Sequence, residues 1–483
     1  MRNLRRLVFG VIMLVIAAVP FAVLAAEGIE VTGEMVAQLF VPADEQTVPE
    51  DQTEPVEEPE TQQEPEEEIA QPKLPDDPMT RLEFCRMIVV AFERCVGSST
   101  ADWALVPADV FTDTNDRAVN VAYTLGIVNG IGGTFLPDTL IVRQEAAVML
   151  ANFAKALGQW QVGPAAWAAF ADSAEIPYWA RTAVDYVQLT NLIDARAANR
   201  FAPRGNVTVA QGEQIAERVC ALFQPKMAAR VVTVGTRGVW LRMPEKVALS
   251  MFGVPDDVLP TAFGVCWKVY AQDYNHFVMI SMEYGFVNAI CTNAAGFSYN
   301  GVRAGDPVWK AAVAVEGMFL IDQRAPQGAI VDGVLLYTNS MQFNQAAYQA
   351  DPDSTMRGAA MEIFYMTNAF RVKNELAPYQ YDADAAAAAA AFSARMAKNG
   401  KISHREAGNV DAGDRLNAAG IAWRDWRENI ASGQKGGVRA YYAWLNSETH
   451  RESLLVDCEW TGCGAAVADG VMYYVQVHYT PAQ

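Results

Sequence analysis

Three stretches of this 483-residue chain repeat one another, and that repetition limits its fold more than any other feature. They are "PMTRLEFCRMIVVAFERCVG" (78–97), "LIVRQEAAVMLANFAKALG" (140–158) and "VTVAQGEQIAERVCALF" (207–223). Each opens on a β-branched or capping residue and continues as an amphipathic helix. In the first, Leu82, Cys85, Val89, Phe92 and Val96 recur at helical spacing, and Gly97 supplies the stop. A second unit alternates with these helices. "VFTDTNDRAVNVAYTLGIVNGIGGTFLPD" (110–138) parallels "AFADSAEIPYWARTAVDYVQLTNLIDARAANRFAPRG" (169–205), each running from Phe-x-Asp through a helix to Phe-x-Pro. The period of 62 to 66 residues gives two full copies and one partial copy of a helical repeat over 78–224.

Ahead of the array, three Arg precede an apolar run from Leu7 that ends on small residues, the pattern of a secretory signal over 1–25. At about 19 residues the run is also long enough for an uncleaved anchor. No other stretch is expected to span a bilayer. Residues 26–77 read as an acidic, Pro/Glu-rich spacer: fourteen Asp and Glu stand against one Lys between 44 and 77, with almost nothing apolar to bury. The net charge of −19 excludes the basic patches that nucleic acid requires. The seven cysteines are odd in number and match no zinc motif. Only Cys458 and Cys463, in "CEWTGC", could close a short disulfide loop; most of the cysteines read as small core residues.

The "FTD", "GIVNGIGGTFLP" and "VRQE" motifs, recurring in fixed order over 78–224, resemble the S-layer homology (SLH) repeat. The resemblance implies a helical pseudo-trimer whose grooves hold acidic polysaccharide attached to peptidoglycan. It also implies an extracellular, wall-tethered protein of a Gram-positive-type bacterium. The family's Thr-Arg-x-Glu contact motif falls on Arg81 and Glu83 and on Arg143 and Glu145, and a guanidinium can pair bidentately with a sugar-borne carboxylate. The same pairs could instead brace the helix starts. The third copy has no Arg at this place.

Residues 232–345 change character. Pro244 opens a short helix ending at Gly253, and Trp267, Val269, Phe277 and Met279 alternate as paired strands about Asp273-Tyr274-Asn275. "PVWKAAVAVEG" (307–317) and "DGVLLYTNS" (332–340) echo the helix and a strand, suggesting two tandem halves of a small α+β domain. "GVCWKVYAQDYNHFVM", "AICTNA" and "GVRAGD" resemble the domain that precedes bacterial CAP domains. His276 reads as a turn residue.

Residues 358–483 carry Asn368-x-x-Arg371, Ser403-His404, Asp414-Arg415-Leu416, Glu428-Asn429-Ile430-Ala431-x-Gly433, Trp444-x-x-Ser447, His450-Arg451 and Gly462-x-Gly464. Their order resembles the bacterial CAP (SCP-like) domain of the cysteine-rich secretory protein superfamily. The resemblance implies an α-β-α sandwich with a groove lined by His404, Glu428, Ser447 and His450. Glu428 is expected at a turn, facing one imidazole and raising its basicity. His404 and His450 could then hold a divalent ion such as zinc. Ser447 stands where animal members carry an acid, which lowers the negative charge at the site. His478 is expected on a strand surface. Two functions follow: a displayed groove that binds an unknown ligand, or a metal-assisted hydrolase acting on wall peptide or glycan.

Overall fold

The computed structural model describes residues 73–105, 110–160, 170–311, 318–324, 328–338 and 351–482. The expected signal and most of the acidic spacer fall within 1–72, outside the described residues. Among the described residues, no helix is long and apolar enough to cross a membrane.

The repeats supply α1 (Arg81–Val96), α2 (Arg117–Thr124), α3 (Arg143–Ala156), α4 (Tyr178–Leu189) and α5 (Val209–Ala228). Local chemistry starts and stops α1. Thr80 and Glu83 form a reciprocal capping box, and Gly97 closes the helix at φ 66°. The segments preceding α1, α3 and α5 close a ring of backbone bonds. Met79 N–H donates to Val207 O (2.9 Å), Val207 N–H to Ile141 O (3.1 Å), and Ile141 N–H to Met79 O (3.0 Å).

The alternating motif has a physical reason. Asp113 accepts the N–H groups of Phe135 (2.8 Å) and Leu136 (2.7 Å); Asp172 accepts those of Phe201 (2.8 Å) and Ala202 (2.7 Å). Leu136 and Ala202 sit at φ 62° and 54°, so each carboxylate holds a left-handed residue between Phe and Pro. Burial pushes the Asp172 carboxyl up, but the Phe201 and Ala202 N–H groups outweigh it and hold the pKa below 3.8. Asp172→Asn is therefore expected to lose roughly 2 kcal/mol near neutral pH. Because the folded pKa is depressed, the wild-type advantage is complete above the ordinary carboxylate value. It fades as pH falls through the lowered one. Urea midpoints of the two chains measured from pH 7 to pH 3 check this by converging.

In the middle segment, α6 (Glu245–Phe252) lies between Pro244 and Gly253 as expected. One sheet joins β1 (Val232–Val234), β2 (Arg237–Val239), β7 (Phe297–Tyr299) and β8 (Val302–Arg303) in the order β2-β1-β7-β8. The larger sheet contains β3 (Asp257–Pro260), β4 (Cys266–Tyr270), β5 (Val278–Glu283), β6 (Phe286–Thr292), β9 (Met318–Gln323) and β10 (Ile330–Tyr337). Its order is β3-β4-β5-β6-β10-β9, antiparallel throughout. The two echoing strands, β6 and β10, are direct neighbours. The echoing helix is not seen where expected: Val308–Ala311 form a 3-10 turn, and 312–317 lie outside the described residues. His276 sits in the turn before β5 and pairs with Asp273 (2.9 Å).

The C-terminal segment supplies α7 (Pro352–Lys373), β11 (Gln380–Tyr381), α8 (Ala383–Asn399), α9 (Ala412–Ala418) and β12 (Trp423–Ser432). After them come α10 (Gly437–Leu445), α11 (Glu448–Leu454), β13 (Trp460–Ala468) and β14 (Val471–Pro481). The sheet order is β11-β13-β14-β12, with β11 parallel to β13 and the other pairs antiparallel. The alanine run of α8 lies directly on β13. A Cβ at Gly462 would fall 2.3 Å from the Ala385–Ala386 backbone, and one at Gly464 would fall 2.1 Å from Ala390 N. On the opposite face Gln476 donates to Thr367 of α7 (3.1 Å).

That second face corrects one expectation. His478 is fully buried, not on a strand surface; its ring stacks on Tyr379 at 4.4 Å. Burial, with Arg371 adding to it, pushes its pKa down to about 3, so the imidazole is neutral. Cys458 and Cys463 are both buried free thiols, as are most of the other cysteines; none is bridged.

Helix α7 serves both the middle and C-terminal sheets. Glu362 on α7 accepts from Trp267 Nε1 of β4 (3.0 Å) and from Val438 N at the start of α10 (3.1 Å). Burial pushes its pKa up to about 7 against those donors. Lys373 pairs with buried Asp332 of β10, which also accepts from Tyr441 Oη of α10 (2.8 Å). One continuous apolar cluster runs from Met79 to Tyr474, and a second fills the space between α8 and its sheet.

Candidate functional site

The edge strand β12 organises the site. Glu428 lies within that strand rather than at a turn, because residues 423–432 pair with β14 through most of their length. Its side chain is 1% exposed, and both oxygens are engaged. Oε2 meets His404 Nδ1 at 3.0 Å, and Oε1 accepts from Arg415 of α9. The Arg415 guanidinium, itself 7% exposed, lies 3.6 Å over the Phe392 ring. A buried carboxylate thus faces a buried cation.

His404 hangs beyond the Gly400 stop of α8, with its side chain 55% exposed. His450 on α11 bonds through Nδ1 to Ser447 Oγ (2.7 Å), and Asn429 Nδ2 donates to His450 O (3.0 Å). Glu428 and Asn429 point to opposite faces of β12, so the two histidines flank the edge strand. They sense each other. Burial first, and the charge of His404 second, lower the pKa of His450. His404→Gln removes that repulsion, so the His450 pKa is expected to rise. Imidazole NMR titration of both chains measures it, and an unchanged His450 would mean that the rings share no site.

The donor set is short of a three-ligand zinc centre. Glu428 has given both oxygens to His404 and Arg415, and Ser447 is bound to His450. Two imidazoles remain, and among the described residues no group of three or more His, Cys, Asp or Glu is arranged around a metal position. Arg415 and Asn429 are the site residues that motif reading passed over. Both stood inside the quoted motifs, but nothing local marked Arg415 as the counter-ion of an acid thirteen positions on.

In the repeats, Arg81 Nε donates to Phe135 O (3.0 Å) and Arg143 Nε to Phe201 O (2.7 Å). Each guanidinium lies over the ring of the same Phe, at 5.1 and 4.9 Å. Arg143 also donates to Asp194 O and is only 4% exposed, so its donors are turned inward. Arg81 pairs with Glu145 across two repeats (3.3 Å). Glu83 caps α1 and pairs with Lys73 (2.7 Å); Glu145 reaches back to Val142 N (3.3 Å).

Comparison with known proteins matches three segments. Residues 364–479 match the cysteine-rich secretory protein family (CAP), 241–310 the CAP-associated N-terminal family and 109–147 the S-layer homology domain. An uncharacterized membrane protein, YlbC, of Bacillus subtilis is 35% identical over 115 residues, 24% of this chain and 32% of that one. The uncharacterized protein YkwD of the same organism is 32% identical over 102 residues, 21% of this chain and 40% of that one. An amylopullulanase of Thermoanaerobacterium thermosulfurigenes is 28% identical over 142 residues, 29% of this chain and 7% of that one. The chain thus spans less than half the length of each of these curated relatives. A solved extracellular protein containing a SCP domain, from Bacillus anthracis, covers 50% of this chain and 93% of its own length at 19% identity and TM-score 0.42.

Proposed function

We propose that this chain, which carries S-layer homology, CAP-associated and CAP segments in that order, is a bacterial surface protein. Its repeats bind wall polysaccharide, and its CAP segment displays a ligand-binding groove. The backbone ring at Met79, Ile141 and Val207 supports reading the repeats as a pseudo-threefold unit. The helices α7 and α8 on opposite faces of one sheet support an α-β-α sandwich. In this reading Arg81 and Glu145 meet the glycan, Glu83 fixes the start of α1, and Arg143 positions the loop after Phe201.

One observation carries the choice of binding over hydrolysis. Glu428 is buried and shared between Arg415 and His404, so neither oxygen is free to attack or to deliver a proton. The carboxylate instead fixes the His404 tautomer, leaving Nε2 as an acceptor toward the groove. A metal-assisted hydrolase is the second reading, favoured by His450, whose lowered pKa keeps it neutral and able to take a proton.

The full chain and its His404→Ala and Glu428→Gln variants, incubated with purified peptidoglycan with and without zinc, separate the two. Soluble fragments released by the parent and not by the variants establish the hydrolase; no release under any condition supports binding. For the tether, Arg81→Ala should release the chain from purified wall fragments while its near-ultraviolet circular dichroism is kept. Retention of that variant on the wall sinks the assignment of Arg81.

A further inference from the structure

A cleft opens where the repeats meet the middle segment, between the end of α3 and the hairpin joining β5 to β6. Its two adjoining hollows, of ≈ 540 and ≈ 610 Å³, share Lys155 and Phe286. Three cations line it in a chain of net charge −19: Lys155, Arg242 and Lys246. Three aromatic rings stand among them. Lys155 Nζ lies 4.9 Å over Trp160, Phe286 is 48% exposed, and Tyr284 is 89% exposed. The lining carboxylates already have partners: Glu245 pairs with Lys268 (3.4 Å), and Glu283 accepts from Asn288 (3.2 Å).

Two of these residues are held against their backbone preference. Tyr284 and Gly285 form the two-residue turn between paired Glu283 and Phe286, at φ 53° and 79°. Both central positions of such a turn favour Asn, Asp or Gly. A tyrosine there meets the steric cost of a left-handed residue and leaves its ring in water. Arg242 is likewise at φ 70°, exposed, and close against Gly158. Neither conformation is recovered through packing of the side chain. Of the left-handed non-glycine residues among the described residues, these two stand at one exposed cleft and present a cation and a ring to solvent, a pattern of residues kept for a ligand.

We propose that this cleft binds an acidic glycan, with the exposed rings of Tyr284 and Phe286 taking the sugar and Arg242, Lys155 and Lys246 taking its carboxylates. A long double-stranded polyanion such as DNA is disfavoured by the overall charge; a short single-chain glycan with one carboxylate per sugar carries far fewer charges. The site extends the surface-anchoring reading to a second contact, and it uses neither Arg81 nor the CAP groove.

Calorimetric titration of the full chain with hexagalacturonate, maltohexaose and inorganic phosphate tests it. Hexagalacturonate is expected to bind at least about tenfold more tightly than maltohexaose, the worth of one charge-assisted hydrogen bond. Arg242→Gly and Tyr284→Asn should each weaken it by about tenfold. Both should leave the melting temperature unchanged or raised, because each relieves a left-handed residue. Loss of stability together with affinity would mean a structural role and overturn the proposal. So would unchanged affinity in both variants, absence of hexagalacturonate binding, or displacement by phosphate at equal concentration. Arg81→Ala separates this site from the tether. If it alone abolishes hexagalacturonate binding, the glycan sits in the repeats and the cleft proposal falls; if it releases the wall yet leaves the titration unchanged, both readings stand.

Discussion

A Gly464→Ala chain is expected to lose at least about 3 kcal/mol of stability or to accumulate unfolded. The added carbon would lie 2.1 Å from Ala390 N and 2.4 Å from Ala389 C. Those are backbone atoms, which cannot rotate aside as a side chain could. The only relief is for α8 to lift off β13, which opens the apolar layer holding Phe392, Val475 and Val477. Gly462→Ala should act in the same direction, since its carbon meets the Ala385–Ala386 backbone at 2.3 Å. Gly470→Ala is the control. Gly470 sits at φ 76° with open space around it, so that change should cost only the roughly 1–2 kcal/mol of a left-handed residue. Urea unfolding followed by circular dichroism ranks the three. Equal losses at 464 and 470 would mean that the helix does not lie against the strand.

Lys373→Met is expected to cost about 3–5 kcal/mol, because it strands the Asp332 carboxylate in the interior without its cation. The ammonium also donates to Asp332 O (2.8 Å) and Asn293 O (3.1 Å), which lose their partner with it. Burial lowers the Lys373 pKa, and the contact with Asp332 opposes the shift. The double variant Lys373→Met with Asp332→Asn should recover part of the loss, since it leaves no buried charge. Unfolding midpoints of the two singles and the double form the cycle that measures the coupling. Additive losses would place the two groups apart.

Much of this architecture could be read from residue order, and where reading failed the cause is specific. The Phe-x-Asp and Phe-x-Pro motifs were visible as repetition. What the structure adds is why they travel together: the first aspartate holds the left-handed residue of the second. The alanine run and Gly462-x-Gly464 were each legible, but not that one is the footprint of the other. Glu428 was expected at a turn because "DWRENIASG" is crowded with charge and ends in Gly. A strand with a buried acid looks polar from its sequence, and the compensating Arg415 lies on another element. His478 shows the converse. In "GVMYYVQVHY" apolar and polar residues alternate as if one face were wet, yet both faces of β14 are covered by helices. The His404–Glu428 contact rests on chain segments that only the fold brings together, and no spacing rule supplies its distance; Ser447–His450, by contrast, is a pair three residues apart at the start of α11 and follows from helical spacing.

The place of α7, gripped on one side by Trp267 and Asp332 and on the other by its own sheet, bears on how this molecule can be taken apart. A C-terminal fragment excised between 338 and 351 would carry Glu362 and Lys373 into solvent as an orphaned flank beside an apolar scar. Grafting that fragment onto a foreign carrier would therefore transplant half of a seam. The His404–Glu428 contact is better regarded as the far end of one continuous body than as part of a detachable cartridge, and reagents meant to study it should keep the residues from the middle sheet attached.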